Sequence, residues 1–391
     1  MSSTYDVIVI GAGIMGCSSA FQLAQRGLKV AIVEKGNVGD GSTGKSSAII
    51  RQHYSNELTT KMALYGLRVF QNFEERVGGE SGFQRRGFVV LVDEKDREGL
   101  EANRAMQQKV GVLTESLSVE DLNEMMSGVE MGESAAAAYE PESGYADPYL
   151  TVNAFADAAR RHSVEILLNT EVTDILFQGD KVYGIASTMG ELHAPQVVNC
   201  TGGWGARVAN MAQVEAPINA CRVQVAFFRR PKGYESPHPV VADFVHSSYF
   251  RPETGGLTLV GLVDPSEAEA VVDPDDYSKQ VDSDYVLDAG GRLVKRYPVM
   301  MQGESTGGYA AHYAITPDWH PIVDEAPHGS GHYLCAGFSG HGFKLGPAVG
   351  VMVADMLTGE LKSEFDPSLF RLDRFRENDP VRGQYEYSII G

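Results

Sequence analysis

Several features that would assign the sequence to a particular class of protein are missing from it. Basic residues are in the minority: 33 Lys and Arg stand against 52 Asp and Glu, which gives a net charge of −19. Nucleic acids and anionic membranes bind basic surfaces, so this charge argues against both as partners. Apolar runs are short, and none reaches the roughly 18 residues that a membrane helix needs. We therefore expect no membrane span.

Cysteine is scarce as well. Cys17, Cys200, Cys221 and Cys335 lie far apart and form no CxxC pair, which is typical of reduced, buried thiols in a reducing compartment. The histidines lack the close spacing of metal ligands, and no HExxH, GxSxG or GxxxxGK[ST] motif occurs, so we expect no bound metal. No basic segment precedes the first apolar run, which predicts that there is no signal peptide and that the location is cytoplasmic.

Glycine, by contrast, is abundant, with 43 residues that gather in short motifs. The first motif, GAGIMG at 11–16, lies between a predicted strand at 5–10 and a predicted helix at 14–26. In a dinucleotide-binding unit Gly11 allows the tight turn, Gly13 lets the backbone approach the pyrophosphate, and Gly16 lets the helix pack closely on the strand. Glu34, at the end of the second predicted strand, can accept from a ribose hydroxyl and disfavours the 2′-phosphate of NADP.

Two further glycine motifs bear on which dinucleotide is bound, since the first does not separate FAD from NAD. GSTGKSS at 41–47 places hydroxyls and a lysine beside glycine, which suits a phosphate or a flavin. GFSGHGFK at 337–344 has a bare backbone that can press against a planar ring, and a predicted apolar helix follows it. The N-terminus of that helix would stabilise negative charge on a reduced flavin. The three motifs together predict FAD.

With TGGW at 201–204 and the run STGKSSAIIRQHY at 42–54, these motifs resemble the D-amino-acid-oxidase-type superfamily of FAD flavoproteins, above all its sarcosine oxidase and glycine oxidase branch. The resemblance implies an α/β fold in which a Rossmann-type FAD-binding domain is joined to a mixed-sheet substrate domain. The expected FAD-binding domain comprises 1–80, 150–215 and 310–391, and the expected substrate-binding domain 81–149 and 216–309. The sequence pattern by itself predicts a helix over 151–162 and a strand-like stretch over 217–298.

The resemblance also implies a reaction, in which a hydride passes from the amine-bearing carbon of a small amino acid or N-methyl amine to the flavin. Arg51 and Lys344 match the positions that hold the substrate carboxylate, and a bidentate fork beside a point charge suits that group. Tyr249 and Tyr313 match active-site tyrosines that would wall the pocket. His341 is a further catalytic candidate, although a histidine in such a turn is more often a packing residue.

Cofactor contacts follow residue by residue from the same resemblance. The expected FAD-binding residues are Gly11, Gly13, Ile14, Met15, Gly16, Glu34, Lys35, Ser42, Thr43, Lys45, Ser46, Val172, Thr201, Gly202, Trp204, Gly337, Gly340, His341, Gly342, Phe343 and Lys344.

The sequence departs from the family at three places. Ala311 stands where monomeric sarcosine oxidases carry the cysteine that bonds to the flavin, and Lys45 where dimethylglycine-type dehydrogenases carry the corresponding histidine. We therefore expect non-covalent FAD. The lysine that promotes reaction with oxygen is missing, since Thr258 or Leu259 takes its place. That departure favours a dehydrogenase with another electron acceptor or a partner subunit.

Three alternatives remain open from the sequence. The same carboxylate clamp would serve an FAD enzyme that oxidises a 2-hydroxy acid. The chain could be a flavin-binding subunit whose catalysis needs a partner chain. A flavin-free NAD enzyme would share the first glycine motif, but it would be colourless when pure.

Overall fold

Two large β-sheets, two small ones and nine α-helices organise the residues that the computed structural model describes, 4–263 and 269–383. The helices are α1 (Ile14–Gln25), α2 (Glu57–Gln71), α3 (Phe73–Arg76), α4 (Arg97–Val110), α5 (Val119–Met125), α6 (Pro148–Arg161), α7 (Gly205–Met211), α8 (Ser283–Arg296) and α9 (Gly342–Thr358). No helix in these two ranges is long and apolar enough to cross a membrane.

The first large sheet has six strands. In spatial order they are β19 (Ile322–Glu325), β20 (His332–Ala336), β13 (Gln196–Asn199), β1 (Val7–Ile10), β2 (Val30–Val33) and β9 (Glu165–Leu167). All neighbours are parallel except β19 and β20. Every residue of β1 and β2 is buried, because the sheet has covered faces and its central strands can be continuous apolar runs. The predicted Rossmann-type unit is therefore present.

Helix α9 packs closely against α1 through glycine. A Cβ on Gly346 would overlap Ile14, and one on Gly350 would overlap Ser18. The bare backbone at these two positions lets the helix axes approach. Both helices therefore begin at the same edge of the sheet, where the first and third glycine motifs lie.

The second large sheet has eight strands and is mixed. In spatial order they are β18 (Glu304–Ile315), β14 (Asn219–Arg229), β17 (Leu257–Leu262), β16 (Ser248–Glu253), β15 (Val240–Asp243), β5 (Phe88–Val92), β7 (Ala136–Glu140) and β6 (Glu115–Ser116). Only the pair of β15 and β5 is parallel. One face packs on α8, whose side chains Tyr285, Ala289 and Leu293 enter a shared core with Phe250 and Val260. The opposite face is the one available to the site.

Two small antiparallel sheets complete the fold. One is formed by β10 (Val172–Gln178), β11 (Lys181–Ser187) and β12 (Gly190–His193), and the other by β3 (Ile49–Ile50), β8 (Gly144–Tyr145) and β4 (Gln84–Arg85). The α/β class with a second, mixed sheet, predicted from the sequence, is confirmed.

Two predicted elements differ from the structure. Residues 217–298 are not uniformly strand-like, since α8 occupies Ser283–Arg296. Paired glycines and many charged residues obscure the helical pattern in the sequence, although the buried residues Tyr285, Ala289 and Leu293 recur at every fourth position. Helix α6 begins at Pro148 rather than at 151. Asp147 caps it by accepting from the Leu150 N–H at 2.8 Å, and the Asp-Pro pair marks that start.

The expected domain boundary between residues 309 and 310 lies within β18, which runs in one sheet from Glu304 to Ile315. We propose the two-domain division with this boundary at the end of β18. The smaller segments that enter the mixed sheet, β5 to β7, fall within the expected range 81–149.

Candidate active site

A cavity of about 480 Å³ lies at the carboxyl ends of the parallel strands, where open α/β sheets bind their ligands. Ile10, Val33 and Cys200, which end or directly follow β1, β2 and β13, form its floor. Most of the expected cofactor contacts line it: Gly11, Gly13, Ile14, Met15, Glu34, Lys35, Ser42, Thr43, Lys45, Ser46, Val172, Thr201, Gly202, Trp204, Gly340, Gly342 and Phe343. The structure thus brings the three glycine motifs together around one space.

The first motif needs glycine for steric reasons. Gly11 has φ +101°, and a Cβ there would lie 2.8 Å from the Cys200 carbonyl oxygen. A Cβ on Gly16 would overlap the Gly11 carbonyl oxygen, so only glycine lets α1 follow the turn this closely. A Cβ on Gly13 would lie 3.1 Å from Thr43 Oγ1, which closes the cradle from the second motif. The residues present fit the pyrophosphate of a dinucleotide.

Two helix N-termini reach the cavity without a side-chain cap. Neither Gly13, before α1, nor His341, before α9, caps its helix through a side chain. Gly342 and Phe343, the first residues of α9, line the cavity. Thr43 Oγ1 accepts from the Ile14 N–H at 3.1 Å, and the further N–H groups and positive dipole ends of these helices favour phosphate or a negatively charged ring there.

Glu34 ties two loops of the cavity together. Its carboxylate accepts from the Ala12 N–H at 2.8 Å and from the Gly36 N–H at 2.7 Å. Lys35 lies with its ammonium 4.0 Å from the centre of the Trp204 ring. The Glu34 carboxylate lies at the cavity wall, where a ribose hydroxyl could donate to it.

Four expected cofactor residues, Gly16, Gly337, His341 and Lys344, lie outside the cavity lining. Gly337 serves packing as Gly16 does, with φ +77° and a hypothetical Cβ 2.5 Å from Thr316 Cγ2. His341 packs its ring 5.6 Å from that of Tyr54. Gly16, Gly337 and His341 therefore make packing contacts next to the glycine motifs and do not line the cavity.

A buried cationic cluster lies behind the third motif. Arg51 and Lys344 are 8% and 5% exposed, and both approach the ring of Tyr54, with Arg51 Cζ at 4.4 Å and Lys344 Nζ at 5.9 Å from its centre. Arg51 also donates to the His53 carbonyl, and Lys344 Nζ lies 3.4 Å from the His341 carbonyl oxygen. The structure thus brings the two predicted clamp residues to one aromatic ring.

Glu140 is the carboxylate facing this cluster, and burial raises its pKa although its hydrogen bonds and the nearby Arg51 and Lys344 oppose that shift. It accepts from the Gln52 N–H at 2.8 Å and from Ser143 Oγ at 2.7 Å. Burial, and then the charge of Arg51, lower the pKa of Lys344 well below its usual range, while Glu140 opposes the shift. Burial raises the pKa of Tyr54 to about 12. A carboxylate brought in by a ligand would relieve the excess positive charge.

The two predicted tyrosines lie on the mixed sheet. The ring of Tyr313 packs on Gly340, where a Cβ would lie 2.7 Å from it, and Tyr313 lines the cavity. The ring of Tyr249 packs on Gly261 of the neighbouring strand and lies outside the cavity lining. The structure therefore places one tyrosine at the cavity and the other on the sheet surface beside it.

Sequence reasoning missed two residues, Arg251 outside the cavity lining and His312 within it. Arg251, two residues after Tyr249 and so on the same sheet face, donates from Nε to the Ser47 carbonyl at 2.7 Å and pairs with Glu253 at 3.0 Å. His312 lines the cavity between Trp204 and Tyr277, with ring centroids at 5.1 and 5.5 Å. No local sequence signal marks these contacts, because each joins distant parts of the chain.

His312 is the polar group whose surroundings most resemble a ligand contact. Both of its ring nitrogens are buried without a hydrogen-bond partner among the described residues. Burial, and then Lys45, lower its pKa to about 4, so the ring is neutral at pH 7. A buried, unpaired imidazole is costly unless a ligand supplies its partner.

No group of three His, Cys, Asp or Glu side chains suited to a metal ion occurs within 4–263 and 269–383. The four cysteines are buried and form no disulfide with one another.

A family model described as FAD dependent oxidoreductase matches residues 6–356. The chain belongs to this family. Its relatives include monomeric sarcosine oxidase from Bacillus sp. (strain NS-129), 26% identical over 387 residues that cover 96% of this chain and 98% of that one. Among solved structures, L-proline dehydrogenase from P. horikoshii is 27% identical and superimposes with a TM-score of 0.89 over 97% of this chain and 100% of that one.

Other relatives are longer. The pyruvate dehydrogenase phosphatase regulatory subunit of Mus musculus is 25% identical over 370 residues, which cover 92% of this chain but only 42% of that protein. The human mitochondrial sarcosine dehydrogenase is 26% identical, and the match covers 40% of its length. This FAD dependent oxidoreductase thus corresponds to a whole bacterial oxidase and to less than half of some mitochondrial relatives. The family resemblance, the enzyme class and the dependence on FAD predicted from the sequence are confirmed.

Proposed function

We propose that this oxidoreductase oxidises a small amino acid at the carbon that bears the amine, with a secondary or N-methylated amine preferred. The observation that carries the proposal is the buried pair Arg51 and Lys344, held against Tyr54 and directly behind the glycine turn that lines the cavity. The names of the relatives, sarcosine oxidase and L-proline dehydrogenase, support a substrate of this class.

The flavin, when bound, supplies a two-electron acceptor for the hydride, and the imine product then hydrolyses. Arg51 and Lys344 hold the substrate carboxylate by a fork and a point charge, and burial strengthens both contacts. Clamping the carboxylate fixes the amine-bearing carbon, and such positioning supplies several kcal/mol of the barrier.

The same two cations act on the amine. A substrate amine must be neutral to give up the hydride, and nearby positive charge disfavours its protonated form. Tyr313 at the cavity, with Tyr249 on the adjoining sheet face, would wall the space for an N-alkyl group. In this proposal the cofactor is held by the expected FAD-binding residues that line the cavity, from Gly11 to Phe343.

Two positions on the mixed sheet, Thr258 and Leu259, bear on which electron acceptor the enzyme uses. Thr258 is buried and lies 3.2 Å from both Arg230 Nη1 and His238 Nε2, inside the substrate domain. Leu259 pairs with Arg251 and shares its sheet face. Neither position supplies the lysine associated with oxygen reduction, which favours an acceptor other than oxygen or a partner subunit. The cytoplasmic location stays a prediction.

Acid precipitation of the purified protein is expected to release all of its flavin as free FAD. The small Ala311 side chain offers no nucleophile, and Lys45 lies 3.2 Å from the Tyr277 hydroxyl. Absorbance of the supernatant and of the washed pellet measures the partition, with protein denatured in added FAD as the control for trapping. Flavin that stays with the pellet would contradict non-covalent binding.

The proposed function is tested by anaerobic titration of the flavin absorbance with sarcosine, glycine, proline, N-methyl and D-amino acids, and 2-hydroxy acids. Loss of the flavin band with an amine is expected. Loss with hydroxy acids alone would replace the proposal by 2-hydroxy-acid oxidation, and a band that no compound bleaches would point to a missing partner chain.

A further inference from the structure

A segment distant in sequence from the glycine motifs forms part of the cavity wall. Pro274, Asp275, Tyr277 and Lys279 line the cavity. We call residues 269–279 the strap. One end is fixed to the mixed sheet, where the Val272 N–H donates to the Ala220 carbonyl at 2.8 Å. The strap therefore leaves the substrate side of the molecule and passes along the opening of the cofactor cavity.

Asp275 fastens the strap to the FAD-binding side. Its Oδ1 accepts from Lys35 and from Trp204 Nε1, the latter at 3.0 Å, and its Oδ2 accepts from Arg207 at 2.6 Å. Arg207 also reaches Asp273 at 3.0 Å. Partial burial raises the pKa of Asp275, but the hydrogen bonds from these three partners outweigh it and bring the pKa to about 2. The carboxylate is therefore charged at any pH near neutrality.

A second attachment lies beside the first. The Tyr277 hydroxyl is 3.2 Å from Lys45 Nζ, and its ring meets that of His312 edge to face at 5.5 Å. Lys45 and His312 both line the cavity. The far end of the strap returns to the mixed sheet, where the Lys279 carbonyl accepts from the Ala310 N–H at 2.9 Å. Between its two ends, the strap is held through side chains that themselves line the cavity.

The ion pairs that hold the middle of the strap are partly exposed to solvent. The side chains of Lys35, Asp275 and Arg207 are 36%, 45% and 47% exposed. Exposed ion pairs contribute little individually and are screened by salt. We infer that Asp275 is a positioning residue that latches the strap across the cofactor cavity and slows the exchange of FAD. This inference depends on membership of the FAD family and not on the proposed substrate.

The test compares flavin release from the holoenzyme with that from Asp275→Asn. We expect the variant to lose flavin roughly five to ten times faster, since one charged group and three charge-assisted contacts are weakened. The rate is followed by the fluorescence of freed FAD on dilution. Asp288→Asn is the matched control: Asp288 is 49% exposed, pairs with Arg292 at 3.0 Å and does not line the cavity.

The dependence of the flavin release rate on salt concentration distinguishes a latch from a merely structural role of Asp275. Raising the salt concentration should speed flavin release from the wild type and from Asp288→Asn, but have little effect on Asp275→Asn. The melting temperatures of the two flavin-free variants should agree. Equal release rates in all three proteins would overturn the latch, and a wild type that purifies colourless would overturn it together with the cofactor assignment.

Discussion

Arg51→Ala is expected to lower kcat/KM for the amino-acid substrate by roughly thirtyfold to several thousandfold while the protein stays yellow. Removing one partner of a buried charged contact costs about 2–5 kcal/mol, and every 1.36 kcal/mol is a factor of ten in rate. Flavin should be retained because Arg51 lies outside the cavity lining. Steady-state kinetics with an artificial electron acceptor and the flavin absorbance of the purified variant measure the two effects.

A substrate without a carboxylate separates the clamp from a general disturbance of the site. At a pH above the pKa of the free amine, wild type and Arg51→Ala should oxidise such a substrate equally slowly, because the guanidinium then has neither a carboxylate to hold nor a protonated amine to disfavour. Arg376→Ala, a change at a side chain that is 76% exposed, serves as the control for arginine removal. Unchanged turnover of the amino acid by a yellow Arg51→Ala would disprove the carboxylate clamp.

Lys344→Met is expected to raise KM and lower kcat/KM strongly, and yet to make the protein more stable at pH 7. Burial and Arg51 lower the pKa of Lys344, so the folded state bears a cost for keeping the ammonium charged that the unfolded chain does not. Methionine fills a similar volume without a charge and leaves Arg51 as the cation beside Glu140. Each pKa unit by which Lys344 is shifted corresponds to about 1.4 kcal/mol, so a gain on the order of 1 kcal/mol or more is expected. Thermal unfolding of the flavin-free proteins measures the difference.

The stability gain of Lys344→Met depends on pH because the fold lowers the pKa of Lys344. Because the pKa of Lys344 is lower in the folded state, the cost is complete below that folded value and disappears as the pH rises towards the ordinary lysine range. The stability advantage of Lys344→Met should therefore shrink at alkaline pH. A variant that is less stable than the wild type at pH 7 would show that the ammonium is well compensated in the fold.

The first glycine motif is a case in which local sequence determines the structure. Gly11 needs its positive φ and Gly16 its bare backbone within one strand-turn-helix unit, so the spacing of the motif predicts the unit and its ligand class. The contacts of Gly11 with Cys200 and of Gly13 with Thr43 join distant parts of the chain. Arg51 and Lys344 are far apart in sequence, and only resemblance to a family could pair them before the structure placed both at Tyr54.

Other parts of the site could not be predicted for the same physical reason. Asp275 meets Lys35 across 240 positions of the chain, and Trp204 and Tyr277 meet at His312 only once the mixed sheet is assembled. The sequence does not predict helix α8, because few of its residues are buried and these form a face only against the mixed sheet. Tertiary packing, rather than local pattern, decides these features.

The central claim, amine oxidation guided by a carboxylate clamp, is tested most directly by anaerobic titration of the flavin band with sarcosine and with its methyl ester. The two compounds share the N-methyl amine and differ in the negative charge that Arg51 and Lys344 would hold. We predict that an N-alkyl amino acid bleaches the flavin and that its ester does so far more weakly. Equal bleaching by the acid and the ester, or bleaching by 2-hydroxy acids alone, would contradict the account.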